Sequence, residues 1–404
     1  MDAAATRRFF SRQESGNRAW LDFASTEGKT EPGSNFPIIP GIPYRLECGG
    51  LRPRPCRSHG RTSYRTAPRT APRHHRIRHG VPGPAVKALR FARFGPPEVL
   101  QPADVAEPVP AAGEVKVRVH AAGLNPLDWK IRAGHLRFLP AGRPPRGSGC
   151  EFAGTIVGSG GGAHARHVGE RVFGTVSPFA HDGAFAEYVV APHDAVAPML
   201  GGLDFAAAAA LPIAGGTALQ ALADVARVAA GQRVLVTGAA GGVGHYAVQV
   251  GKHLGAHVVG VCGAANIDFV RALGADEVVD YAKDDFTRRA DRFDVVFDAA
   301  SSSSYHAARA VLTPDGVYVS TSGSAAAVAS TVVGGLLGRL SSRQRAVAFR
   351  LATGAAQWQR LAALAAAGAL VPHVERTLAL AEVPAALGAM ESGHGRGKMV
   401  ARLV

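Results

Sequence analysis

One stretch of the chain is built to hold a phosphate. The apolar run Val234-Leu235-Val236-Thr237 reads as a buried strand, and it leads straight into Gly238-Ala239-Ala240-Gly241-Gly242-Val243-Gly244. A helical pattern, Val243–Leu254, follows. A strand that ends in glycines and opens a helix offers unpaired backbone N–H groups and the positive end of a helix dipole to an anion. That context separates a dinucleotide turn from a plain glycine-rich turn. Gly241 and Gly242 would let the backbone approach a pyrophosphate, and Gly244 would let the helix pack close on the strand. Ala239 stands where the fingerprint has its first glycine, so the motif is a variant. In this reading Ala239, Ala240, Gly241, Gly242, Val243 and Gly244 line the cofactor.

The next strand indicates which dinucleotide. Sites for NADH commonly carry an acid about 20 residues on, at the tip of the second strand, to hold the ribose 2′-hydroxyl. Here that strand ends Val261-Cys262-Gly263-Ala264-Ala265-Asn266, with no acid at its tip. NADPH is therefore favoured, with NADH left open because no Arg or Lys stands there either.

Other chemistry-bearing residues are scattered. Cys48, Cys56, Cys150 and Cys262 form no CxxC pair, which fits neither a disulfide framework nor a zinc ribbon. A reducing cytosol is the expected compartment. His181, His193 and His253 are isolated and read as surface or packing residues. By residue type alone, Asp128, Lys130 and Arg132 read as the solvated face of a short helix.

The elements that must position the glycine turn alternate. Strands are expected at Arg233–Thr237, His257–Cys262, Glu277–Asp280, Asp294–Asp298 and Gly316–Thr321, with Ala346–Leu351 as a last strand. Helices are expected at Val243–Leu254 and Asn266–Leu273. Such alternation implies a parallel, doubly wound sheet, the Rossmann arrangement, over residues 205–352. A ligand crevice then lies beyond the strands' carboxyl ends, near Ala299-Ala300-Ser301-Ser302-Ser303-Ser304. Before it, residues 86–204 read as short strands and turns, with Glu114–His120 alternating cleanly and further strands at Phe152–Val157 and Arg171–Gly174. The last part, 353–404, contains a helix at Trp358–Ala367, a strand near His373–Thr377, a short helix from Val383 and a closing strand at Met399–Val404. It is expected to rejoin the first domain.

Residues 1–85 differ from all of this. They hold 15 of the 45 Lys and Arg but 6 of the 31 Asp and Glu, so most of the net charge of +14 belongs to them. The body is only mildly cationic and implies no nucleic-acid partner. No apolar run is long enough to suggest a membrane span. The segment contains the tandem Arg65-Thr66-Ala67-Pro68, Arg69-Thr70-Ala71-Pro72 and is too polar to offset its ordering entropy, so it is expected to be disordered. Three readings remain: a basic arm for nucleic acid, a transit peptide (against which Asp22, Glu27 and Glu31 count), or sequence upstream of a functional start near Val81 or Val86. The strand pattern begins abruptly at Val86, which favours the third.

Ordered landmarks run through the rest: Gly123-Leu124-Asn125-Pro126-Leu127-Asp128-Trp129-Lys130-Ile131-Arg132, Gly149-Cys150-Glu151-Phe152-Ala153-Gly154, Gly183-Ala184-Phe185-Ala186-Glu187-Tyr188, Leu211-Pro212-Ile213-Ala214-Gly215-Gly216-Thr217-Ala218, Leu273-Gly274-Ala275-Asp276-Glu277 and Gly395-Arg396-Gly397-Lys398-Met399-Val400. With them the chain from Val86 resembles the medium-chain dehydrogenase/reductase superfamily, and within it the zinc-independent quinone oxidoreductases and enone reductases. The resemblance implies a GroES-like β-rich substrate domain beside the Rossmann domain. It implies hydride transfer from NADPH to a quinone or an α,β-unsaturated carbonyl. It implies no zinc, because Asn125 and Cys150 stand at positions where zinc alcohol dehydrogenases carry a Cys and a His ligand. It gives Lys130 as the donor facing the substrate carbonyl, Asp128 as its orienting partner, and Asn125 as a contact to the nicotinamide ribose or substrate. It places Thr217 near the nicotinamide, Asn266 and Tyr281 near the adenosine end, Cys262 and Gly263 beside the adenine ribose, Ala299 along the crevice, and Lys398 on a phosphate. A homodimer is the expected assembly, with Gly316–Thr321 near a sheet edge. The alternatives are a non-catalytic NADPH-binding relative of the same fold, and a nucleic-acid binder acting through residues 1–85.

Overall fold

β-Branched runs punctuated by glycine give the first lobe its strands. They are β1 (Ala85–Phe91), β2 (Gln101–Ala106), β3 (Glu114–Gly123), β4 (Arg146–Gly147), β5 (Glu151–Ser159), β6 (Arg171–Thr175), β7 (Tyr188–Pro192) and β8 (Val196–Pro198). Among the described residues a short α-helix, α1 (Pro126–Arg132), lies between β3 and β4. The computed structural model describes residues 85–138, 142–162, 166–321, 343–393 and 395–404. The expectations for residues 1–84, and for most of Ser324–Arg343, fall outside the described residues.

In β3 the side chains of Val115, Val117 and Val119 are fully buried while their neighbours face outward, the period of a half-buried strand. β3 pairs antiparallel with β5 and β7, and β5 with β6. Phe152, Ile156, Val172, Phe185 and Val189 close the core of this lobe.

After α2 (Phe205–Ala209) and α3 (Pro212–Leu219), the second lobe is a parallel sheet. Its strands are β9 (Arg233–Thr237), β10 (His257–Cys262), β11 (Glu277–Asp280), β12 (Phe293–Asp298), β13 (Leu312–Ser320) and β14 (Arg345–Ala348). Helices α4 (Gly244–His253), α5 (Ile267–Ala272) and α6 (Tyr305–Ala308) follow β9, β10 and β12. The six strands lie in the order β11-β10-β9-β12-β13-β14, so the order reverses beside β9. That reversal opens a crevice at the carboxyl ends of β9 and β12. The sheet's outer strand is β14, which pairs with β13, so Gly316–Thr321 is covered and is not itself the edge.

The chain then returns through α7 (Ala355–Ala366), β15 (Val374–Ala379), α8 (Val383–Met390) and β16 (Lys398–Arg402). β16 pairs antiparallel with the end of β3, Val400 opposite Gly123. The last strand thus inserts into the first lobe's sheet, and the loop before it passes the glycine turn. Among the described residues no helix is long and apolar enough to cross a membrane.

Candidate active site

The glycine turn sits where β9 meets α4. Its tight bend is made by Gly238 (φ +60°), one residue before the position expected to carry the first glycine. A side chain on Gly238 would also strike Ala300 of the β12 loop. Gly244 is indispensable for another reason: a Cβ there would stand 2.0 Å from the Gly238 carbonyl oxygen. Gly241 and Gly242 have more room, since a methyl on either would meet its nearest neighbour at 3.3 and 3.4 Å respectively. They keep the approach to the start of α4 open, where the His245 N–H is already engaged by Gly241 O at 3.0 Å.

Ala239 is a correction. It is fully buried, and its N–H is spent on Val261 O at 3.0 Å, so it packs the turn against β10 and does not face a cofactor. The Ala240 carbonyl is also taken, by the Gly397 N–H at 2.8 Å. His245, in the first turn of α4, braces the turn from below. Its Nδ1 lies 3.0 Å from Gly241 O and its Nε2 accepts from the His373 N–H. Burial lowers its pKa to about 4, which keeps the ring neutral.

On the other side of the crevice, Asp298 ends β12 with no solvent exposure. It accepts hydrogen bonds from Thr237 Oγ1 (2.6 Å), Tyr318 OH (2.9 Å) and the Ser302 and Ser303 N–H groups. A buried carboxylate needs such donors, and here they fix the loop that carries Ala299 and Ser301 (φ +54°) against the end of β9. Ala299 itself is half-buried against the core.

The substrate lobe contributes a buried polar hub. Glu151 is completely buried at the start of β5. Its Oε1 accepts from Lys398 Nζ at 2.7 Å and from Asn125 Nδ2 at 2.8 Å, and its Oε2 from the Ile213 N–H at 2.7 Å. Lys398 Nζ also donates to Leu124 O (2.6 Å) and Asn125 Oδ1 (2.8 Å). An ammonium has three N–H donors, and all three are used. The phosphate role expected for Lys398 is therefore corrected: it anchors the hub. Asn125 is corrected likewise, since both ends of its side-chain amide are engaged within the protein. Glu151, unassigned by the sequence, proves to be the centre. Thr217, one turn beyond Ile213 on α3, is buried and donates to Ile213 O at 2.6 Å.

α1 is not a solvated helix. Residues four apart share a face, and Asp128 and Arg132 are both buried while Lys130 is exposed. Arg132 donates to Gly95 O and pairs with Glu391 at the end of α8. Asp128 Oδ2 accepts from the Asn125 N–H at 2.8 Å, which caps the helix. Its carboxyl is raised to about 7, chiefly by burial. Asp128 and Lys130 are two apart and point away from each other, so Asp128 does not orient Lys130. The Lys130 ammonium instead lies 5.6 Å from the centre of the Trp129 ring. It is reached by water yet crowded by protein, and this partial desolvation lowers its pKa.

The donors around Glu151 are poorly matched to zinc. Glu151 already faces an ammonium, and Asn125 is a neutral amide. Burial and the neighbouring Asp128 and Glu151 carboxyls push the Cys150 thiol well above its ordinary range, opposing the thiolate that a metal needs. Among the described residues no three His, Cys, Asp or Glu side chains cluster to hold a metal.

A separate cleft of about 350 Å³ lies beyond the tip of β10, where the adenosine end is expected. Gly263, Asn266 and Tyr281 line it, and are joined by Glu375, Gly395 and Arg396 from the returning chain. Cys262 is corrected here: its side chain is buried in the core beneath the cleft. Arg396 was not foreseen, because it is 130 residues from Asn266, its partner at 2.9 Å.

Residues 111–201 match the family model described as an alcohol dehydrogenase GroES-like domain, and residues 273–400 that described as a zinc-binding dehydrogenase. A quinone-oxidoreductase homolog of the chloroplast of Spinacia oleracea is 41% identical over 200 residues, 48% of this chain and 60% of that protein. The 2-methylene-furan-3-one reductase of Solanum lycopersicum is 34% identical over 223 residues, 53% of this chain and 57% of that protein. The chain thus spans about three-fifths of the length of these relatives. The structure of the quinone oxidoreductase from Coxiella burnetii aligns with a TM-score of 0.72 at 30% identity, covering 80% of this chain and 100% of that one. The Escherichia coli quinone oxidoreductase complexed with NADPH aligns at 0.71 and 27% identity, covering 78% and 100%. By the glycine turn, the two-lobed fold and these matches, the chain belongs to the medium-chain dehydrogenase/reductase superfamily, as a quinone oxidoreductase-like member.

Proposed function

We propose that this protein is an NADPH-dependent reductase of quinones or α,β-unsaturated carbonyls that works without zinc. The observation that carries the proposal is the Lys398–Glu151–Asn125 hub. It surrounds Asn125, one of the two residues that the resemblance places where zinc enzymes carry ligands, with a neutralised, fully hydrogen-bonded set. It is also tied to the glycine turn through Gly397 N–H and Ala240 O. The names of the relatives, quinone oxidoreductases and a 2-methylene-furan-3-one reductase, support the substrate class. The acid-free tip of β10 supports the phosphorylated dinucleotide.

When bound, the nicotinamide supplies the hydride. The protein's work is placement and electrostatics. Gly241, Gly242 and the head of α4 would receive the pyrophosphate. Gly263, Asn266 and Tyr281 would take the adenosine end. Thr217 would lie towards the nicotinamide, on the helix whose first turn Glu151 holds. The hub gives the substrate lobe a rigid floor. Lys130, cationic and water-accessible, donates a hydrogen bond to the oxygen that gains negative charge, and water can deliver the final proton.

The test follows loss of the reduced-nicotinamide absorbance with NADPH and NADH in parallel, over a panel of quinones and short enones, with and without chelator. Chelator-resistant NADPH oxidation is the expected result. Loss of activity on chelation would overturn the zinc-free reading. Tight NADPH binding with no turnover across the panel would replace the enzyme by a binding protein of the same fold.

A further inference from the structure

We propose that Arg396 is the residue that selects a cofactor phosphorylated on the adenosine ribose. The inference rests on the NADPH reading above and gives it a residue. Strand β10 provides no cation at its tip, so a 2′-phosphate would lie there unpaired if only the cofactor lobe were considered. The returning chain supplies the missing charge from the other lobe.

Arg396 is held in place before any ligand arrives. Its Nε donates to Asn266 Oδ1 at 2.9 Å and one Nη to Ala265 O at 3.1 Å. The guanidinium lies 5.3 Å from the centre of the Phe269 ring, over the face of α5. A guanidinium has five N–H donors, so three remain for the cleft that Gly263, Asn266 and Tyr281 line with it. A planar fork fixed on one edge matches a phosphate's oxygens on the other, and its ordering cost is already met. Gly263 keeps the opposite wall clear. A side chain there would come within 3.1 Å of the Tyr281 hydroxyl, which stands over the same space.

One opposing charge shares the rim. Glu375 accepts the Arg396 backbone N–H at 3.2 Å and lines the same cleft. It is exposed to water, which screens it, whereas Arg396 is half-buried. The cation therefore prevails, and the carboxylate trims the affinity.

Adenosine fragments test this without turnover. The dissociation constants of 2′,5′-ADP and 5′-AMP are measured by calorimetry for the full chain and for Arg396→Gln, Arg396→Lys and Glu375→Gln. The unaltered protein should bind 2′,5′-ADP about tenfold or more tightly than 5′-AMP, as charge-assisted hydrogen bonds imply. Arg396→Gln should erase that preference and leave 5′-AMP within about twofold. Arg396→Lys, a point charge without the fork, should fall between. Glu375→Gln should widen the preference about two- to fivefold, and this arm stands even if the Arg396 variants fold poorly. Retention of the full preference in Arg396→Gln, or an unchanged preference in Glu375→Gln, would overturn the assignment and leave the NADPH reading standing. No preference in the unaltered protein would overturn both.

Discussion

Lys398 Nζ and Glu151 Oε1 are 2.7 Å apart, with the two side chains 4% and 0% exposed. They come from β16 and β5, and the Asn125 amide bridges them. A buried ion pair owes its tolerance to mutual satisfaction, so the loss of one member strands the other. Glu151→Gln or Lys398→Met alone should lower unfolding stability by about 3 to 5 kcal/mol. The double variant should be less destabilised than the sum of the two. Urea midpoints of the four proteins decide the matter; strict additivity would show that the pair is not coupled.

Gly242 and Gly244 should fail in different ways. Gly244→Ala drives a methyl into the Gly238 carbonyl and should cost about 3 kcal/mol of stability. Gly242→Ala meets only contacts of 3.4 Å and should fold normally while losing NADPH affinity about tenfold, because the methyl occupies the pyrophosphate's approach. Thermal unfolding and cofactor titration of both variants separate the two roles. Equal stability losses would reject the distinction.

Lys130 should act on the chemical step. Lys130→Met should reduce kcat by about 10- to 100-fold, since one donor to the developing negative charge is lost. The KM for NADPH should not change, because Lys130 is assigned to the substrate oxygen and not to the cofactor. A raised KM with unchanged kcat would make Lys130 a substrate-binding residue only.

Asp128 predicts a pH dependence. Its carboxyl is raised to about 7 in the folded protein, chiefly by burial, and has an ordinary low value when unfolded. Between those values the folded chain binds the extra proton, so its stability falls as pH rises from about 4 to about 7 and then levels. Asn in place of Asp128 keeps an acceptor for the Asn125 N–H without the charge. Asp128→Asn should therefore gain about 2 kcal/mol relative to the parent at pH 8, with the gain shrinking towards pH 5. Denaturation curves at both pH values test this, and a gain that is the same at both would refute it.

The sequence made the second lobe legible because its signals are local. Arg233–Thr237, His257–Cys262 and Glu277–Asp280 are the strands expected, each a β-branched run cut off by glycine or turn residues. β2 was not foreseen, because Gln101–Ala106 has no fully buried residue and only half-buried Ala103 and Val105 on its inner side. Of the residues expected at one end of the cofactor, Gly263, Asn266 and Tyr281 line one cleft. What failed were residues whose role depends on distant partners. Lys398 reads as a phosphate ligand until Glu151 is placed beside it. Asp128 reads as solvated until Lys398, Glu151 and Cys150 are placed beside it. Arg396 has no local signature at all. Glu151 did carry a signal: a lone acid entering an apolar strand must be either exposed or satisfied, and its run of buried neighbours excludes exposure.

The short run Arg396-Gly397-Lys398 touches the adenosine cleft, the glycine turn and the hub in succession. During synthesis these three residues emerge after both lobes' other strands. A nascent chain that has released β14 already possesses the glycine turn, yet its Glu151 still waits in water for an ammonium. The two lobes can acquire their separate cores early, but the site is completed by a final closure, when β16 slides in beside β3. Translation stopped short of Lys398 would leave both lobes without the residue that ties them, and cofactor binding would be the last property the growing chain acquires.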